Sequence, residues 1–240
     1  MKILIVSGFL GAGKTTFIKR LARNVDQRFA ILENEYGAAG IDGARLGQNR
    51  QGTQKNVWEM TEQCICCIGK KDFAASVLTI ANVVDPEYLI VEPTGVGSLA
   101  RIIENLRQIE YERIQLLSPV TIVDVYSYRR YMAEYPELYQ DQIRSADTII
   151  VSKTEACQAE EKQRIQKFLQ EINPQAKIIT DYASTMTRED YQSLLLGGRY
   201  EKEVQDTQSG EKMPETFSFE NIRMEAPETL WCFLEQIIRG

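Results

Sequence analysis

An α/β fold, built on a largely parallel sheet with helices on both faces, is what the 240-residue sequence predicts. Three observations predict it. Short apolar runs recur along the chain, segments of helical period separate most of them, and the composition (43% apolar, 26% charged) is that of an ordinary globular protein. Lys2–Val6 reads as a buried strand, followed by a glycine-rich turn and a helix from about Thr15 to Asn24. Later strands are expected at Phe29–Leu32, Val57–Met60, Tyr88–Val91, Val120–Asp124, Thr148–Val151 and Lys177–Ile179. Helical periodicity marks Phe73–Val84, Leu99–Gln108 and Ala159–Ile172 between them. Two stretches break the pattern. Ala38–Lys55, rich in Gly, Gln, Arg and Ala, reads as a long mobile loop, and Gly197–Glu215 as a charged linker. Thr216–Met224 then alternates like a strand and Ala226–Ile238 suits an amphipathic helix. The expected organisation is one domain over residues 1–196, a linker over 197–215, and a short C-terminal β-α extension over 216–240.

Composition narrows the function. Lys+Arg is 28 against Asp+Glu 34, a net charge of −6 that argues against a nucleic-acid or anionic-membrane partner. No apolar run approaches the ~18 residues of a membrane span, and MKILIVSGF is too short for a signal peptide, so a cytosolic protein is expected. Five cysteines, an odd number, do not form a disulfide framework, and three of them crowd into CICC (Cys64, Cys66, Cys67). Histidine is absent. Serine-histidine triads and imidazole-ligated zinc hydrolases are excluded with it.

Gly8-Phe-Leu-Gly-Ala-Gly13-Lys14-Thr15 matches the P-loop pattern in full, placed after a buried strand and before a helix. Its glycines (Gly8, Gly11, Gly13), with Ala12, let successive N–H groups turn inward around a phosphate, and the helix adds the positive end of its dipole. Lys14 can reach the β- and γ-phosphates, the Thr15 hydroxyl can ligate Mg²⁺, and Thr16 is placed to support the α-phosphate. In Leu89-Ile-Val-Glu92-Pro-Thr-Gly95 an apolar strand ends in an acid that can hold Mg²⁺ through water, and the Gly95 N–H can sense the γ-phosphate. Lys14, Thr15 and Glu92 are the expected catalytic residues. After a later strand come Ser152-Lys153-Thr154-Glu155. The Lys153 stem can lie along a purine, and the Glu155 carboxylate can accept from the N1 and N2 hydrogens of guanine, a donor pair that adenine lacks. GTP is therefore expected over ATP.

These pieces together resemble the CobW-type P-loop GTPases, a family of metallochaperones. GFLGAGKTT is similar to the family's P-loop, Glu33–Asp42 (ENEYGAAGID) to its first switch segment, CICC to its CxCC, VEPTG (Val91–Gly95) to its ExxG, VDVYSY (Val123–Tyr128) to its VDA segment, and Gln142–Glu155 to the helix, strand and base-recognition loop. The resemblance covers about Lys2 to Thr180. It implies a P-loop NTPase fold and a slow cytosolic GTPase. Such a protein loads a metal or activates a client metalloprotein or corrinoid protein, and a homodimer is compatible with it. There are departures: SKTE stands for NKxD, Ala38 for a glutamate, Gln63 for a glycine, and the family's C-terminal domain is reduced to Thr216–Gly240.

Cys64 and Cys67 have the spacing that lets two sulfurs meet on one ion, with Cys66 as a third ligand. The fourth is Glu35, Asp42, a water or a partner's residue, and Asp42 is also a candidate for the Mg²⁺ ion. Such a site suits Zn²⁺ or Co²⁺ over Mg²⁺ or Ca²⁺. The CICC segment lies between the two switch candidates in sequence, so nucleotide state and metal binding are expected to be coupled. Two other readings stay open: a redox sensor using the CICC thiols, and an ATP-dependent P-loop kinase. Tyr128, Tyr131, Tyr135 and Tyr139, with Tyr126 before them, fall at helical spacing and read as a packed face interrupted at Pro136, or else as a client surface.

Overall fold

The computed structural model describes residues 1–27, 29–35, 57–63 and 70–204. Its strands are β1 (Lys2–Gly8), β2 (Phe29–Glu35), β3 (Val57–Gln63), β4 (Tyr88–Glu92), β5 (Gln115–Leu116), β6 (Val120–Asp124), β7 (Thr148–Ser152) and β8 (Lys177–Ile179). They form one sheet in the order β3-β2-β4-β1-β6-β7-β8, with β5 also on β1, and every strand pairing is parallel. The helices are α1 (Lys14–Asn24), α2 (Lys70–Val83), α3 (Leu99–Arg107), α4 (Tyr128–Glu134), α5 (Pro136–Arg144), α6 (Ala159–Ile172), α7 (Tyr182–Thr185) and α8 (Arg188–Leu196).

The central strand shows why the layers form. Ile3 and Ile5 of β1 pack with Val77 and Ile80 of α2 and with Leu99, Ile103 and Leu106 of α3. Leu4 and Val6, pointing the other way, pack with Phe17 and Leu21 of α1 and Leu195 of α8. Successive strand residues face opposite sides of a sheet, so an unbroken apolar run demands a cover on both. Each such buried side chain contributes about 1.5–3 kcal/mol. Helices on both faces are what the sequence predicted. A third cluster joins Val123 of β6, Ile149 and Val151 of β7, Leu138 and Ile143 of α5, and Ile165 and Leu169 of α6.

Some elements were not anticipated. β5 pairs with Lys2 and Ile3, whereas β6 pairs with Val6–Gly8 on the same side of β1. One strand track is thus split around Pro119, which has no N–H to give. Pro136 ends α4 and occupies the first turn of α5, where its missing N–H does no harm. α8 opens with a reciprocal capping box between Thr187 and Asp190, a signal present in the sequence as Thr-Arg-Glu-Asp. The described start of the expected linker, residues 197–204, packs on the domain through Tyr200. Tyr200 is 4% exposed, its N–H donates to Leu116 O at 2.8 Å and its hydroxyl to Ser145 O at 2.9 Å. One buried aromatic anchors a segment whose charge suggested solvent. Residues 38–55 and 205–240, which include the rest of the expected linker and the C-terminal extension, lie outside the described residues.

Asn173 closes the far end of α5. Its buried Nδ2 donates to Ile143 O at 2.8 Å, Ala146 O at 2.9 Å and Arg144 O at 3.2 Å. Asn173→Ala strands these carbonyls. The expected cost is about 2 kcal/mol, seen in thermal unfolding as a midpoint lowered by roughly 4–8 °C.

Candidate functional site

β1 delivers the chain to the C-terminal edge of the sheet, where residues 9–13 turn sharply into α1. Gly8 has φ of +141°, and a Cβ there would lie 2.4 Å from the Ile122 carbonyl oxygen of β6. Neither the backbone nor the space admits another residue. Gly13 (φ +99°) is the N-cap of α1, in the left-handed region. Gly11 lies at the exposed outer bend, and the buried Ala12 donates its N–H to Phe9 O at 3.1 Å.

The Lys14 ammonium is turned into this loop. The residue is 8% exposed, and Nζ donates to Gly8 O at 2.9 Å and Phe9 O at 3.4 Å. Thr15 and Thr16 are exposed in the first turn of α1. Thr15 Oγ1 donates to Glu92 Oε1 at 3.0 Å, so the ends of β1 and β4 bring a hydroxyl and a carboxylate together beside the loop. Hard oxygen donors beside a lysine at the start of a helix fit a Mg²⁺-bound polyphosphate. Gly95 lies directly on the loop: a Cβ there would be 2.4 Å from Leu10 N and 2.9 Å from Phe9 C.

The far side of the loop is held by β7 and its sequel. Ser152 Oγ donates to Ala12 O at 2.6 Å. Lys153, with φ of +61°, turns outward and donates from Nζ to Asp124 Oδ2 at 2.7 Å. Burial pushes the Asp124 carboxyl pKa up, but hydrogen bonds from Lys153, the Tyr126 N–H and the Ser127 hydroxyl outweigh it and hold the group below its ordinary value. The pair therefore holds the Lys153 ammonium on Asp124 at the rim. Thr154 Oγ1 donates to Thr180 O at 2.8 Å, and Glu155 is exposed at the tip of this loop.

The tyrosines are packing, at least in part. Tyr128 and Tyr139 are buried, and Tyr131 and Tyr135 are partly buried against the same cluster. Phe9 of the loop lies 4.6 Å from the Tyr131 ring and 5.1 Å from that of Tyr139, and Tyr131 donates its hydroxyl to Leu10 O at 3.0 Å. They brace the phosphate loop from behind. Tyr126 alone of the five is strongly exposed, at 61%. This bracing was not read from the sequence, although helical spacing and the P-loop phenylalanine were both visible there. Cys157 is half-buried beside the same cluster, as a packing cysteine should be.

Gly8, Lys14, Thr15, Glu92, Gly95, Ser152 and Lys153 thus gather at one edge of the sheet. Cys64, Cys66, Cys67 and Asp42 lie outside the described residues; Glu35 is described through its backbone, at the end of β2. There the register matters. Glu33 of β2 pairs with Glu92 of β4 and with Thr61 of β3, and Glu35 pairs with Gln63, the residue before Cys64. Among the described residues, no helix is long and apolar enough to cross a membrane.

The family model for the CobW/HypB/UreG nucleotide-binding domain matches residues 2–180. "Zinc chaperone YeiR" of Escherichia coli is 30% identical over 178 residues, covering 73% of this chain and 53% of its own length. "Zinc chaperone CobW" of Pseudomonas aeruginosa is 27% identical over 194 residues, covering 69% and 52%. Among solved structures, Zn(II)-bound YjiA GTPase from E. coli has a TM-score of 0.57 at 23% identity, over 75% of this chain and 57% of that one. HypB from Helicobacter pylori in complex with nickel has a TM-score of 0.52 at 18% identity, over 80% and 81%. At these identities the two structures speak for the fold. The chain spans about half the length of the curated relatives it matches. With the match running from the first strand to the end of the base-side loop and β8, the chain belongs to the CobW/HypB/UreG nucleotide-binding domain family.

Proposed function

We propose that this chain binds GTP with Mg²⁺, hydrolyses it slowly, and couples nucleotide state to the capture and delivery of zinc or cobalt. The client is a metalloprotein or a corrinoid protein in the reducing cytosol. Lys14 and the loop amides would neutralise the phosphates, Thr15 and Glu92 would hold the Mg²⁺, and Lys153 with Glu155 would select guanine. Held there, Mg²⁺ would supply charge neutralisation for the polyphosphate. Cys64, Cys66 and Cys67, with Glu35 or Asp42, would hold the transition metal.

The observation that carries this reading is the register along β4, β2 and β3. The strand that ends in Glu92 pairs with the strand that ends in Glu35, and that strand pairs with the one that leads into Cys64. Neighbouring strands lie about 4.8 Å apart, so Glu92 and Thr61, level with each other on either side of Glu33, are separated by roughly 10 Å across the sheet, and Thr61 precedes Cys64 by three residues in sequence. A shift of Glu92 on phosphate release reaches β3 through one intervening strand. The names of the relatives point the same way, since several are zinc chaperones.

Anaerobic zinc and cobalt titration in the presence of GDP, of a non-hydrolysable GTP analogue and of no nucleotide tests it. Affinity is expected to differ between the nucleotide states, and Cys66→Ala is expected to weaken metal binding by at least about 10–100-fold. Equal affinity in all three states removes the coupling; no metal binding by the reduced protein removes the chaperone.

A further inference from the structure

We infer that Gln142 of α5 is a positioning residue that sets the loop facing the terminal phosphate, so that it discriminates triphosphate from diphosphate. The inference rests on the nucleotide reading above. Gln142 is 1% exposed, and its Nε2 donates to Gly95 O at 3.1 Å and Gly97 O at 3.0 Å. Both neighbours are carbonyls, so the amide must present its NH₂ to them. Its own backbone is fixed as well: Thr121 Oγ1 of β6 donates to Gln142 O at 3.0 Å, and Thr121 pairs with Ser7, one residue before the phosphate loop. A single residue therefore ties the strand beside β1 to the loop after β4.

The next residue back holds the other end of the same segment. Asp141, 5% exposed, accepts from Leu99 N at 2.7 Å and more weakly from Ala100 N at 3.4 Å, in the first turn of α3. A carboxylate there also suits the helix dipole. One turn of α5 thus grips residues 95–100 at both ends, while Tyr139 of the same helix packs on Phe9. On its opposite side Gly95 has no clearance from Leu10.

Two further points favour a task beyond stability. Gln142 Oε1 is buried without a hydrogen-bond partner among the described residues. A methionine would fill the same volume without that penalty, but would give up the two bonds to Gly95 O and Gly97 O, so it is the hold on this segment that the amide is kept for. Second, the direction of the bonds is informative. In a trans peptide the N–H points opposite to the carbonyl, so holding Gly95 O and Gly97 O toward α5 turns the N–H groups of Val96 and Ser98 away from it. The amide is an aiming device for backbone donors.

The test is Gln142→Met, with affinities for GDP and for a non-hydrolysable GTP analogue measured at fixed Mg²⁺, together with the thermal midpoint. Affinity for the analogue is expected to fall about 10–30-fold relative to that for GDP, as the segment 95–98 loses its two holds on α5, while the midpoint falls by several degrees because the carbonyls of Gly95 and Gly97 lose their donor. GTP turnover should fall in step with analogue binding. An unchanged analogue-to-GDP ratio in the folded variant overturns the inference, as does a proportional loss of both affinities, which would mark Gln142 as scaffolding. If Gln142→Met does not fold, amide hydrogen exchange on the unaltered chain decides. Val96 and Ser98 should be better protected with the analogue than with GDP, and equal protection overturns the inference. Should the unaltered chain bind neither nucleotide, the functional reading falls and takes this inference with it. Normal binding with an unaltered ratio in the variant sinks this inference alone.

Discussion

Lys14→Ala is expected to lower GTP affinity by roughly 10²–10⁴-fold while leaving the protein folded. Lys14 is 8% exposed, and its ammonium bonds the carbonyls of Gly8 and Phe9 in the loop. Those carbonyls keep the lysine extended over the loop before a phosphate arrives. Two charge-assisted hydrogen bonds to phosphate oxygens, at about 1.5–3 kcal/mol each, give the range. Lys14→Arg should not restore binding, because a planar guanidinium needs more room than an ammonium and presents its donors in a fixed fork. Titration with a fluorescent guanine nucleotide measures both variants. An alanine variant within threefold of the unaltered affinity would mean that the loop amides alone hold the phosphates.

The second large effect is Gly95→Ala, and it should fall on turnover. The added Cβ meets Leu10 N at 2.4 Å, Leu10 Cα at 2.9 Å and Phe9 C at 2.9 Å. All three are backbone atoms of the phosphate loop and cannot swing aside like a side-chain end. Relief needs a displacement of about 1 Å, and misplacement of that size can cost on the order of 10²-fold in rate. On the proposed reading Gly95 faces the γ-phosphate, which GDP lacks, so GDP affinity should change less than turnover does. Single-turnover GTP hydrolysis alongside GDP binding separates the two. Full activity in the alanine variant would show that the loop clears the P-loop during catalysis. Gln142→Met and Gly95→Ala act on opposite sides of one peptide segment, so their effects on turnover should not add.

The phosphate side of the site was legible because its pieces are local. A buried strand, a glycine turn, a lysine and a helix follow one another in Lys2–Asn24, and each carries its own physical signature. The same holds for β4 with Glu92 and for β7 with Ser152 and Lys153. What escaped notice depends on long-range contact. Asp141 and Gln142 reach residues 95–100 across more than forty positions, and in sequence they are merely polar residues in the middle of a helix. β5 is two residues long, too short for any periodicity. The segment around Tyr200 was misjudged because its charges outnumber its apolar groups, although one aromatic ring in the core decides where it lies. The thiolate motif is the reverse case: CICC is explicit in sequence, and it falls outside the described residues.

The same Tyr200 anchor has a mechanical corollary. Arg107, the last residue of α3, stacks its guanidinium over the Tyr200 ring at 5.5 Å and donates to the carbonyls of Tyr200 and Lys202. α3 is nine residues long, about 13 Å of stiff rod, and its opposite end is the one that Asp141 holds beside Gly95. A tilt begun beside Gly95 would therefore be felt at Tyr200 and Lys202. Residues 200–202 are geared to the Gly95 segment through a crankshaft of about two and a half turns.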